Sequence, residues 1–148
     1  MKYIVYRKQV CEVVKEENGV YELVPIRDKS IKYKIPTKSN LLREVISKGE
    51  VDDLIKRIPD IEVVDNTDRL IEQVYKELMS SGTHEDLVKI IKTTYMRNQV
   101  RISNNKKISD RDNEYFERAE NYLYDELSIA LGLSYEDTKL YVMKKISK

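Results

Sequence analysis

The chain has 148 residues, 41% hydrophobic and 36% charged, and its 27 Lys and Arg nearly balance its 26 Asp and Glu to leave a formal net charge of +1. That apolar share can fill a normal core in one domain or in two small ones, and the plentiful aromatic and branched residues exclude wholesale disorder despite the high charge. A single cysteine, Cys11, excludes an internal disulfide, and no N-terminal apolar run resembles a signal peptide or a membrane span, so a cytoplasmic location is expected.

The N-terminal part reads as strands. Residues 3–6 and 10–14 are short β-branched or aromatic runs, and Glu17-Asn18-Gly19 then supplies a hairpin turn, because Asn-Gly accepts the positive φ such turns need. Residues 20–24 make the next strand. After a turn over 27–30, Ile31-Lys32-Tyr33-Lys34-Ile35 alternates, which turns Ile31, Tyr33 and Ile35 inward and Lys32 and Lys34 toward water until Pro36 ends the run. Periodicity leaves residues 41–46 open between strand and helix.

Helices follow. A short one over 50–57, preceded by Gly49 and closed by Pro59, leads into an extended connector over 58–66. Leu70, Ile71, Val74, Tyr75, Leu78 and Met79 then recur at helical spacing up to Gly82, a natural C-terminal glycine. Thr83…Asp86, Ser109…Asp112 and Ser134…Asp137 each place a hydroxyl acceptor three residues before a carboxylate, a helix start that satisfies free N–H groups and complements the helix dipole. They open the apolar runs Leu87/Ile90/Ile91/Tyr95, then Tyr115/Phe116/Ala119/Leu123/Leu127/Leu131, then Leu140/Tyr141/Ile146. Of the eleven tyrosines, Tyr75, Tyr95, Tyr115, Tyr122 and Tyr141 lie on or beside such stripes and read as core packing.

No catalytic constellation emerges. His84 is the only histidine and falls in the first turn of a predicted helix, where a structural role outweighs catalysis without a base partner. Cys11 sits in an apolar strand as a small hydrophobe, one His and one Cys make no zinc site without carboxylates, and there is no glycine-rich phosphate loop. No enzyme activity, metal or cofactor is expected.

Charge is the exception to this uniformity. Residues 89–111 hold seven cations (Lys89, Lys92, Arg97, Arg101, Lys106, Lys107 and Arg111) against one acid, Asp110. Most charge runs are solvated faces, but a cluster at one helix–loop–helix junction of a nearly neutral chain is also the footprint that a nucleic-acid backbone requires. The loop Asn104-Asn105-Lys106-Lys107 has no apolar pattern and can meet phosphates through amide and ammonium groups, contacts that position a protein without reading sequence.

Taken in order, these residues resemble the CarD family of bacterial RNA polymerase-binding transcription regulators over nearly the whole chain. The resemblance runs through Tyr3-Ile4-Val5-Tyr6, Tyr21-Glu22-Leu23-Val24-Pro25-Ile26, Ile31-Lys32-Tyr33-Lys34-Ile35-Pro36 and Leu42-Arg43-Glu44-Val45-Ile46-Ser47. It continues in Ser81-Gly82-Thr83, Leu87-Val88-Lys89-Ile90-Ile91, Tyr95-Met96-Arg97 and the helix over 109–132. It implies an α+β protein with a small Tudor-like β-barrel domain over residues 1–47, which grips the RNA polymerase β subunit, and an all-helical domain over 48–148, which rests on promoter DNA. Residues 41–46 would be the last strand of the barrel. Polymerase contact would fall on Lys32, Tyr33, Lys34 and Ile35, with Lys34 in the place of a basic strand residue, and Arg97 would lie at or next to a DNA-contacting arginine. Where relatives carry a tryptophan that wedges into the minor groove, this chain has Thr67-Asp68. The expected partners are therefore polymerase and non-specifically bound promoter DNA, with no membrane. A monomer is the working expectation. The alternative is a protein–protein adaptor whose helical domain binds another protein instead of DNA.

Overall fold

In the computed structural model, which describes residues 2–146, the N-terminal runs pair into an antiparallel sheet. Its strands are β1 (Tyr3–Tyr6), β2 (Gln9–Glu17), β3 (Val20–Pro25), β4 (Tyr33–Pro36) and β5 (Leu42–Arg43), in the order β4-β3-β2-β1-β5. Asn18 and Gly19 take φ of 54° and 76°, as the turn between β2 and β3 requires. The turn between β1 and β2 has the same left-handed backbone at Arg7 (49°) and Lys8 (75°), a conformation that residues bearing a Cβ adopt at a cost.

The sheet curls. Two strands separate β1 from β4, so in a flat sheet they would run about 14 Å apart. Yet the rings of Tyr6 and Tyr33 meet at 4.9 Å. Tyr33 and Ile35 from one edge and Leu42 from the other pack on the same core of Ile4, Tyr6, Cys11, Tyr21 and Leu23. A bulge between Val13 and Lys15 adds to the bend. Burial pushes the Cys11 thiol up to about 11, which makes it an inert packing group.

Five α-helices follow: α1 (Lys48–Arg57), α2 (Asp68–Ser81), α3 (His84–Ser103), α4 (Asp110–Leu131) and α5 (Tyr135–Ile146). All three predicted hydroxyl caps form: Thr83, Ser109 and Ser134 side chains accept from the N–H groups of Asp86, Asp112 and Asp137 at 3.1, 3.1 and 3.0 Å. Gly82 closes α2 at φ 63°. A fourth start is reciprocal, with Glu50 N–H donating to Ser47 Oγ and Ser47 N–H to Glu50 Oε1. It begins α1 at Lys48, so Gly49 lies inside the first turn instead of ahead of it. Among the described residues no helix is long and apolar enough to cross a membrane.

The chain forms two compact units. The first joins residues 2–52 with Tyr124–Val142, and the second joins Asp53–Leu123 with residues 143–146. The first unit therefore adds a C-terminal helical segment to the strands. Arg43 makes a bidentate pair with Glu126 at 2.6 and 2.7 Å, and Ile46 N–H donates to the same carboxylate at 2.8 Å. That donation takes the backbone away from the ladder, so the strand anticipated over 41–46 lasts only two residues. Arg27 pairs with Asp125 at 2.7 and 2.8 Å and lies over the Tyr135 ring.

In the second unit, α2 packs on α3, and the connector after α1 is a single 3-10 turn (Ile58–Asp60) followed by extended chain. Lys92 holds it by donating to the carbonyls of Ile58 and Ile61 at 2.8 and 2.6 Å. Two predicted stripes are corrected. Tyr95 is 57% exposed, because the inward positions of α3 are taken by Ile90, Thr93 and Thr94, and its ring only approaches Phe116. On α5, Thr138 and Val142 are buried while Leu140 and Ile146 are exposed, so the buried face is offset from the one the apolar residues mark.

Candidate functional site

Three elements of the second unit converge on the carboxylate of Asp112, which is fully buried in the first turn of α4. It accepts from Tyr75 Oη of α2 at 2.8 Å, and from Arg97 Nε and an Arg101 guanidinium nitrogen of α3 at 3.0 and 2.6 Å. Burial alone would raise this carboxyl, but the hydrogen bonds from Arg101, Tyr75 and Arg97 outweigh it and hold the group below its ordinary value. Burial, reinforced by the bond to Asp112, pushes the Tyr75 hydroxyl well up, so it remains a donor. Arg97 also pairs with Asp68 at the start of α2, and Arg101 approaches the same acid at 3.6 Å.

Asp68 follows the N-terminal cap Thr67 as the first residue of α2. Here it serves as counter-ion to two arginines.

On the outer side of this cluster, Asp68, Met96, Arg97, Val100, Arg101, Asn104, Lys106 and Lys107 line an open cleft of about 380 Å³. Four of the seven predicted cations thus meet in one place. Arg97 and Arg101 are largely committed to Asp112 and Asp68, whereas Lys106 and Lys107 are exposed on the loop that α3 enters through Asn104 and that carries Asn105 at φ 56°. The other three lie outside the cleft. Lys89 is half-buried on α3, Lys92 is used by the connector, and Arg111 donates to the Asp68 carbonyl at 3.1 Å.

In the first unit, β4 pairs with β3 and, among the described residues, with no other strand. Lys32 and Lys34 extend outward, each 3.8 Å from a carboxylate oxygen of Glu22. Tyr33 and Ile35 face the core, so a partner at this edge would meet their backbone instead of their side chains.

Sequence reasoning missed Asp112 as a hub, and with it the neutralisation of Arg97 and Arg101. The acid lies one residue past the basic window, and its cap position accounts for it locally; nothing local reveals partners 11 to 37 residues away. The apolar pair in the cleft lining was also missed, because Met96 and Val100 fall on no recognised stripe. No protein-family model matches the chain, and no curated protein matches it.

Proposed function

We propose that this protein is a non-enzymatic, cytoplasmic transcription regulator of CarD type. Its curled sheet is a Tudor-like β-barrel domain that docks on the RNA polymerase β subunit by adding the β4 edge to a partner strand, with Lys32 and Lys34 supplying register. Its helical unit touches promoter DNA through phosphate contacts and thereby modulates open-complex stability. The observation that carries the reading is the placement of the exposed Lys106 and Lys107 in one cleft, beside Arg97 and Arg101, whose charge Asp112 and Asp68 largely balance. The edge strand with outward lysines and the order of the family-like segments support it.

A few phosphate contacts give weak binding, with Kd of roughly 10⁻⁴ to 10⁻⁶ M at physiological salt, and tethering to polymerase compensates by raising local concentration. Asp68 cannot act as an apolar wedge between base steps, so the stabilisation comes from charge contacts and is modest.

The test pairs capture of purified polymerase β subunit by the full chain with a salt titration of duplex DNA binding. Each phosphate contact contributes about −0.9 to the slope of log K against log salt, so Lys106→Ala/Lys107→Ala lowers the slope magnitude by nearly two. Lys34→Glu weakens capture and leaves the fold intact. Salt-independent DNA binding together with undiminished capture by the Lys34 variant would overturn the assignment. The exposed Tyr95 and Ile102 favour a second reading, a protein adaptor, which predicts no DNA binding at any salt.

A further inference from the structure

The cleft of the helical unit has a feature that contact with closed duplex DNA leaves unused. Two of its lining residues are apolar: Met96 and Val100, one helical turn apart on α3, are 40% and 52% exposed and share the lining with Arg97, Arg101, Lys106 and Lys107 and with the acid Asp68. A duplex presents phosphates and sugars to a shallow surface and keeps its base faces stacked away from it. An unpaired strand offers a phosphate and an apolar ring face together.

We infer that the cleft takes an unpaired nucleotide of a single strand, an inference that rests on the nucleic-acid reading above and specifies its ligand. Lys106 and Lys107 meet the phosphates, because they are the exposed cations whose charge is not committed to Asp112 or Asp68. The base lies on Met96 and Val100, where the polarisable thioether favours an aromatic ring. Asn104, which also lines the cleft, offers an amide donor and acceptor to the base edge.

The short span of this apolar pair separates this ligand from an acidic amphipathic helix. Such a helix needs anchors over two turns of its own length. Met96 and Val100 span about 6 Å, enough for one ring. Tyr95 and Ile102, which would extend an apolar track, are not part of the cleft lining.

The experiment measures fluorescence anisotropy of the full chain with a labelled single-stranded oligonucleotide and with a duplex of the same sequence, at fixed salt, with polyglutamate as competitor. The expected result is a preference for the single strand of about fivefold or more, by analogy with stacking contributions of this order. Met96→Ala/Val100→Ala should abolish that preference and leave duplex binding unchanged; both positions are exposed and alanine favours helix, so the fold is kept, which circular dichroism checks. Lys106→Ala/Lys107→Ala should weaken both ligands. Equal binding of the two ligands, or a preference that survives the Met96/Val100 variant, overturns the inference while lysine-dependent binding keeps the DNA reading standing. Binding of neither ligand overturns both. Competition by polyglutamate as strong as by the oligonucleotide assigns the cleft to acidic protein segments and overturns the inference.

Discussion

Glu126 in the first unit and Asp112 in the second are the buried acids of the described chain, both on α4, and they are neutralised in different ways. Glu126 faces Arg43, whose side chain is 43% exposed, and a backbone N–H from Ile46. Asp112 faces two arginines, each no more than 20% exposed, and a tyrosine hydroxyl. In the first unit the cation can return to water if its acid is lost. In the second it cannot do so freely, and two guanidinium groups are left with the exposed Asp68 as their shared counter-ion. A buried ion pair therefore means something different in each unit: a clasp between the strand end and a helix in one, and a condition for assembling three helices in the other.

The sharpest way to break the comparison is Asp112→Asn. Removing one partner of a buried charge cluster costs about 3–5 kcal/mol, so guanidinium unfolding should show the largest loss of stability here. Acid gives the same result without mutation. The folded carboxyl lies below its unfolded value, so its contribution is complete above the ordinary carboxylate range and disappears as pH falls through the depressed folded value. Wild type should lose stability below about pH 4 more steeply than Asp112→Asn. Parallel acid profiles would show that the hub is not a source of stability.

Glu126→Gln comes next. Glutamine can still accept from Ile46, and Arg43 is solvent-accessible, so the loss should be about 1–3 kcal/mol. A loss equal to that of Asp112→Asn would erase the distinction between the two units. The smallest change has the opposite sign. Replacing Arg7-Lys8 with Asn-Gly relieves a left-handed turn of two Cβ-bearing residues and should raise stability by about 1 kcal/mol without affecting DNA binding, as paired melting and anisotropy measurements would report.

Several features were determined by the sequence alone because they depend on neighbours three or four residues apart. The Asn18-Gly19 turn, the Thr83, Ser109 and Ser134 caps, the Gly82 terminator and the alternation of Tyr33 to Ile35 are of this kind. Each is a backbone requirement met by a side chain close by, and composition makes it visible. Tertiary structure decided the rest. The curl that brings Tyr6 onto Tyr33, the diversion of Ile46 N–H to Glu126, the exposure of Tyr95 and Leu140, and the division of the basic residues into arginines bound to Asp112 and lysines facing outward all depend on partners far away in the chain. A run of cations in a sequence states how much charge is present, but how much of it faces outward depends on which acids the fold buries against it.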